Sequence, residues 1–140
     1  MKKIMVCVDF AEGTQKLIAE VALLAKAFKS TVYVSTVATP NEDGDTGVGL
    51  DMSKQYPEES EALSALANRL CTEGVDAQPY LITGIPSPAI NKEVEKLGVD
   101  LIVMGTHGKG LVVGTFIGSV SQGVVKHSKI PVHLVPVNDG

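Results

Sequence analysis

Two short runs with no polar residue inside them, Ile4-Met5-Val6-Cys7-Val8 and Leu101-Ile102-Val103-Met104, constrain this chain more than any other feature. A strand that is apolar at every position, and not only at alternate ones, is covered on both faces. That is the condition of a central strand in a parallel sheet with helices on either side. The first run, strand 1, ends at Asp9 and a turn through Gly13. Beyond it Leu17, Ile18, Val21, Ala22, Leu24, Ala25 and Phe28 recur at spacings of three and four and predict a helix, with Thr14 placed to cap it. Strand 4, Asp100 to Met104, likewise runs into a loop and then a helix.

The remaining segments repeat this alternation. Thr31 to Val37 is β-branched and aromatic and predicts strand 2, stopped by Thr39-Pro40. Residues 41–56 hold four acids and three glycines without periodicity and read as a long surface loop. Pro57-Glu58-Glu59 suits a helix amino end, and Ala62, Leu63, Leu66, Ala67 and Leu70 supply its stripe. Strand 3, Asp76 to Thr83, contains Pro79, whose missing donor belongs on a sheet edge. Pro86 opens a third helix closed by Gly98, Ser119 opens a fourth, and Pro131 to Val135 is strand 5. Five βα-type steps predict an α/β three-layer sandwich, a single domain over 1–140 with a five-stranded parallel sheet of order 3-2-1-4-5. In that order the chain winds one way from strand 1 and the other from strand 4, so their carboxyl ends flank the crevice where open α/β sheets bind ligands.

A chain of 140 residues removes roughly two-thirds of its unfolded surface from water on folding, so it needs no disulfide or metal staple. The 44% apolar fraction excludes disorder as the main state. Twelve basic against sixteen acidic residues give a net charge of -4, the wrong sign for tracking a phosphate backbone, so no nucleic-acid partner is expected. The run after Lys2-Lys3 is too short for a secretory signal, and no apolar stretch reaches the length of a membrane span. A soluble cytoplasmic protein is expected, with no membrane partner. Cys7 and Cys71 stand far apart without Cys-x-x-Cys spacing and read as reduced and structural.

The chemistry concentrates after strand 4, where five glycines fall between Gly105 and Gly118. Glycines let backbone amides approach an anion, and the amino end of the next helix adds unpaired donors and partial positive charge. A phosphate chain fits such a loop. Gly105 ending a strand, Gly118 breaking a loop and Ser119 with Gln122 forming a capping box is the alternative; the place at the switch point favours binding. Neither a P-loop nor Gly-x-Gly-x-x-Gly is present. What the chain does carry is Gly-x-x-Gly, nine residues, then Gly-Ser, filled by Gly105, Gly108, Gly118 and Ser119.

That spacing resembles the nucleotide-binding pattern of the universal stress protein family. The likeness extends to the first strand ending in Val-Asp, Gly-Ile-Pro before the third helix, Ile-Val-Met-Gly-Thr-His-Gly, Gly-Ser-Val-Ser and the closing Pro-Val-His-Leu-Val. The resemblance implies a Rossmann-like fold of the adenine nucleotide alpha hydrolase type and the ATP-binding branch of the family. It implies Asp9 and Val37 at the adenosine and Gly105, Gly108, Gly118 and Ser119 around the ribose and phosphates, with Met104, Thr106, His107, Lys109 and Val120 also in the nucleotide site, and Mg2+ or Mn2+ accompanying ATP. Ala11 stands where many members carry Ser. A homodimer through the last strand, with Val132, Leu134 and Val135 against a second chain, is implied too, as is an unidentified regulatory partner.

On the residues alone, Asp9 either contacts a ligand or caps helix 1, and Lys109 either meets a phosphate or is solvated. His107 lies in the loop, His127 suits a helix dipole and His133 a strand; the three histidines are too scattered for a metal site. No acid lies within the loop, so the expected function is a nucleotide-binding stress-response module with no catalytic residue, and slow ATP hydrolysis at the same site is the alternative. A receiver domain would need an Asp after strand 3, where the chain has Thr83-Gly84, and a flavin protein would need its phosphate loop after strand 1.

Overall fold

The computed structural model describes residues 2–10, 13–38, 56–106 and 119–136. Along them run β1 (Lys3–Cys7), α1 (Thr14–Phe28), β2 (Thr31–Ala38), α2 (Pro57–Thr72), β3 (Asp76–Thr83), α3 (Pro86–Leu97), β4 (Leu101–Gly105), α4 (Ser119–His127) and β5 (Val132–Val135). The strands form one parallel sheet in the order β3-β2-β1-β4-β5, as the apolar runs and Pro79 predict.

The continuous apolar runs are explained by cover on both sides. Ile4, Val6, Val32, Val34, Leu101 and Val103 pack with Leu17, Ile18, Val21, Leu63 and Leu70 of α1 and α2. Met5, Tyr33, Ile102 and Met104 pack with Ile90, Val94 and Val124 of α3 and α4. Alternate residues of one strand thus feed two different cores, and both have to be apolar. Pro79 lies on the edge strand opposite Val34, where its lack of an N–H leaves the ladder to β2 intact.

The strand ends are fastened by polar contacts. Asp100 Oδ2 accepts from the amides of Lys3 and Lys2 at 3.0 and 2.9 Å, tying the start of β4 to that of β1. Those two amides, Lys3 first, hold its carboxyl below the ordinary carboxylate range. His133 of β5 meets Glu20 of α1 at 3.2 Å, a contact beyond the strand role its sequence suggests. Gly98 closes α3 with φ 71°, and the Val99 amide donates to the Val94 carbonyl at 3.0 Å.

One expectation is corrected. Thr14 does not cap α1: it is the first helical residue, and the cap position is Gly13, whose carbonyl accepts from Leu17 N–H at 3.0 Å. Gly13 has φ 91°, a conformation threonine rarely adopts, so the turn out of β1 selects glycine there. Of the loop expected over 41–56, residues 41–55 lie outside the described residues. Tyr56 is buried, and its carbonyl accepts from Ser60 N–H at 3.0 Å at the start of α2.

Candidate functional site

In a parallel sheet joined by helices, every strand points its carboxyl end, and every following helix its amino end, at the same edge. At that edge the paths out of β1 and β4 diverge. β1 leads through α1 to β2 on one side, while β4 leads through α4 to β5 on the other. The two helices belong to opposite layers, so a crevice opens between the strand ends.

Register sets what lines the crevice. Cys7 pairs with Ser35 of β2 and with Met104 of β4. Two residues beyond that row, Asp9, Val37 and Thr106 stand level at the ends of three adjacent strands. Asp9 is exposed. It is followed by Phe10, which holds φ 59°; non-glycine residues in this region are strained by about 1–3 kcal/mol and cluster at functional sites.

The end of β4 is fixed from two sides. Thr106 N–H donates to the Val135 carbonyl at 3.0 Å, and the buried Ser121 hydroxyl donates to the Gly105 carbonyl at 3.0 Å. The Thr106 hydroxyl is buried and has no hydrogen-bond partner among the described residues. An unmet buried hydroxyl costs roughly 1–3 kcal/mol, and such groups mark places that water or a ligand completes.

The helix amino ends at this edge suit an anion, with the Asp9 carboxylate beside them. α1 and α4 carry no acid in their first turns, whereas α2, away from the crevice, carries Glu58 and Glu59. The amide donors and positive dipole ends of α1 and α4 are therefore not neutralised within those helices.

The structure brings Asp9, Gly105, Thr106 and the half-exposed Val120 to this edge. Met104 and Val37 turn their side chains into the core beside α3 and α4. His107, Gly108, Lys109 and Gly118 lie outside the described residues, and Ser119 begins α4. Sequence reasoning missed Ser121, although the quoted Gly-Ser-Val-Ser contains it. A serine facing the core from the first turn of a helix needs a nearby carbonyl, and Gly105 supplies it.

Cys7 sits one row below the crevice floor with its sulfur 3.6 Å from the Ser35 hydroxyl. Burial pushes its thiol up to about 11, against a smaller opposing effect of Ser35. Cys71 is exposed on α2. Iodoacetamide at pH 8 is expected to modify one cysteine of the native chain, Cys71, with Cys7 reacting only after denaturation. Peptide mass spectrometry showing equal labelling would contradict this assignment.

The sequence model described as the universal stress protein family matches residues 1–136. The chain belongs to that family. One universal stress protein of Methanocaldococcus jannaschii is 30% identical over 142 residues, covering 96% of this chain and 81% of the relative. A second from the same organism is 40% identical over 62 residues, a match spanning 44% of this chain but only 38% of the relative. The solved structure of this second protein matches with a TM-score of 0.80 at 28% identity, covering 99% of this chain and 98% of that one. The universal stress protein of Archaeoglobus fulgidus solved in complex with dAMP matches with a TM-score of 0.70 at 21% identity, covering 96% and 97% of the two chains. That last likeness is one of fold.

Proposed function

We propose that this universal stress protein is an adenine-nucleotide-binding regulatory module that takes ATP in the crevice between β1 and β4. The observation that carries this reading is a coincidence. The Gly-x-x-Gly, nine-residue, Gly-Ser pattern starts at Gly105, the end of β4, and finishes at Ser119, the start of α4. A glycine-rich segment leading from a strand at a switch point to a helix amino end is an anion cradle by its backbone chemistry. The relative solved with dAMP supports an adenine nucleotide as the occupant.

In this reading Asp9 and the backbone of Val37 hold the adenosine end. Thr106 Oγ–H, with the amides of Gly105, Gly108, Gly118 and Ser119, serves the ribose and phosphates. Met104 supports the strand end beneath, Val120 gives an apolar edge, and His107 and Lys109 add donors. Mg2+ or Mn2+ accompanying ATP would be held chiefly by the phosphates. β5 is an outer strand with Val132 and Leu134 only partly covered, and pairing with a second copy would complete that edge. The nucleotide would change what the dimer presents to a regulatory partner during stress. Among the described residues no helix is long and apolar enough to cross a membrane.

Native mass spectrometry of protein isolated without chelator or nucleotide tests this. A bound mass equal to an adenine nucleotide is expected. Protein that carries none, and binds none when ATP is added at millimolar concentration, would overturn the proposal.

A further inference from the structure

α3 and α4 meet where Gly123 faces Ser87. A Cβ on Gly123 would lie 2.7 Å from Ser87 Cβ and 2.5 Å from its Oγ. The first distance is roughly 0.8 Å inside the shortest favourable carbon–carbon separation. The hydroxyl can rotate away, but the Cβ cannot, and Ser87 stands between Pro86 and Pro88, whose rings restrict the local backbone. The two helices approach this closely because position 123 is glycine, in a helix interior where glycine is otherwise disfavoured.

Both sides of this contact lead to the crevice. Ser121, two residues before Gly123, ties the first turn of α4 to the Gly105 carbonyl at 3.0 Å. Across the contact, Gly84 N–H donates to the Ala38 carbonyl at 3.3 Å, joining the turn into α3 to the end of β2 next to Val37. We infer that the Gly123–Ser87 contact is a spacer that sets the distance between the amino end of α4 and the end of β2, which makes Gly123 a positioning residue for the nucleotide. This rests on the nucleotide reading above. With Ser87 held, a side chain at 123 displaces α4 together with Ser121 and the amides that face the phosphates, while β2 keeps its place.

The test uses the full chain, ATP as the probe and three variants. Gly123→Ala is expected to bind ATP about tenfold more weakly or worse, since a site must be held to within about 0.5 Å. Ser87→Gly should stay within about threefold of wild type, and the Ser87→Gly/Gly123→Ala double variant should return to that range, a rescue that a general loss of helix stability would not produce. In ligand-free protein the amide resonances of Gly105 and Ser121 should shift in Gly123→Ala and return in the double variant. Wild-type affinity in Gly123→Ala, or a double variant as weak as the single, overturns the spacer. Should wild-type protein bind no ATP, the nucleotide reading falls, and the resonances decide the spacer alone: unmoved, they overturn it. Where Gly123→Ala does not fold, a folded double variant with near wild-type affinity supports the spacer, and one that is unfolded or does not bind overturns it.

Discussion

Replacing Gly118 by valine is expected to lower ATP affinity by at least about a hundredfold while the unfolding free energy changes by less than about 1 kcal/mol. Gly118 immediately precedes Ser119, the first residue of α4, at the place where the proposed cradle needs backbone amides against phosphate oxygens. In the proposed cradle a branched side chain there would occupy the phosphate volume and restrict φ. The two buried clusters are built on the strands and helices around β1 and β4, and stability is expected to hold. Calorimetric titration paired with urea unfolding separates the two effects. Undiminished affinity would refute the cradle, and a collapse of stability would show that the glycine serves the fold instead.

Ile102→Ala should do the reverse, costing about 3–4 kcal/mol of stability through lost apolar burial and the cavity left behind. Ile102 has no exposed surface, and it lies between Met5 on β1 and Val132 on β5 in the sheet register. Its neighbours in the layer under α3 and α4 include Ile90, Val94 and Val124, drawn from two helices that cannot both close the gap. For a chain of this size the melting temperature should fall by roughly 10–15 °C. Val125→Ala is the control: Val125 is 43% exposed, and the change should be within about 0.5 kcal/mol. A loss below about 1 kcal/mol for Ile102→Ala with an unchanged m-value would contradict this picture of the core.

The strand order was legible because burial on two faces leaves a local signature. Val6 and Met5 are adjacent in sequence yet belong to different cores, so β1 reads as unbroken apolar residues, and Pro79 marks an edge by its own chemistry. Where the crevice opens followed from that order. Contacts between distant segments left no such trace. Nothing near Glu20 announces His133, 113 residues later, and nothing in the fourth helix announces that Gly123 makes room for Ser87. Periodicity reports which face of an element is covered, not which side chain covers it. The cap of α1 was misread for a related reason. Thr14 has good capping chemistry, but the position before it holds φ 91°, which glycine adopts readily, and Gly13 occupies the cap.

The most direct measurement is a crystal structure of the chain grown or soaked with millimolar ATP. Nucleotide density is expected between the ends of β1 and β4, its adenosine beside Asp9 and Val37 and its phosphates over the residues from Gly105 to Ser119. An ordered ATP bound elsewhere on the surface, or a crevice filled by the chain's own side chains, would contradict it.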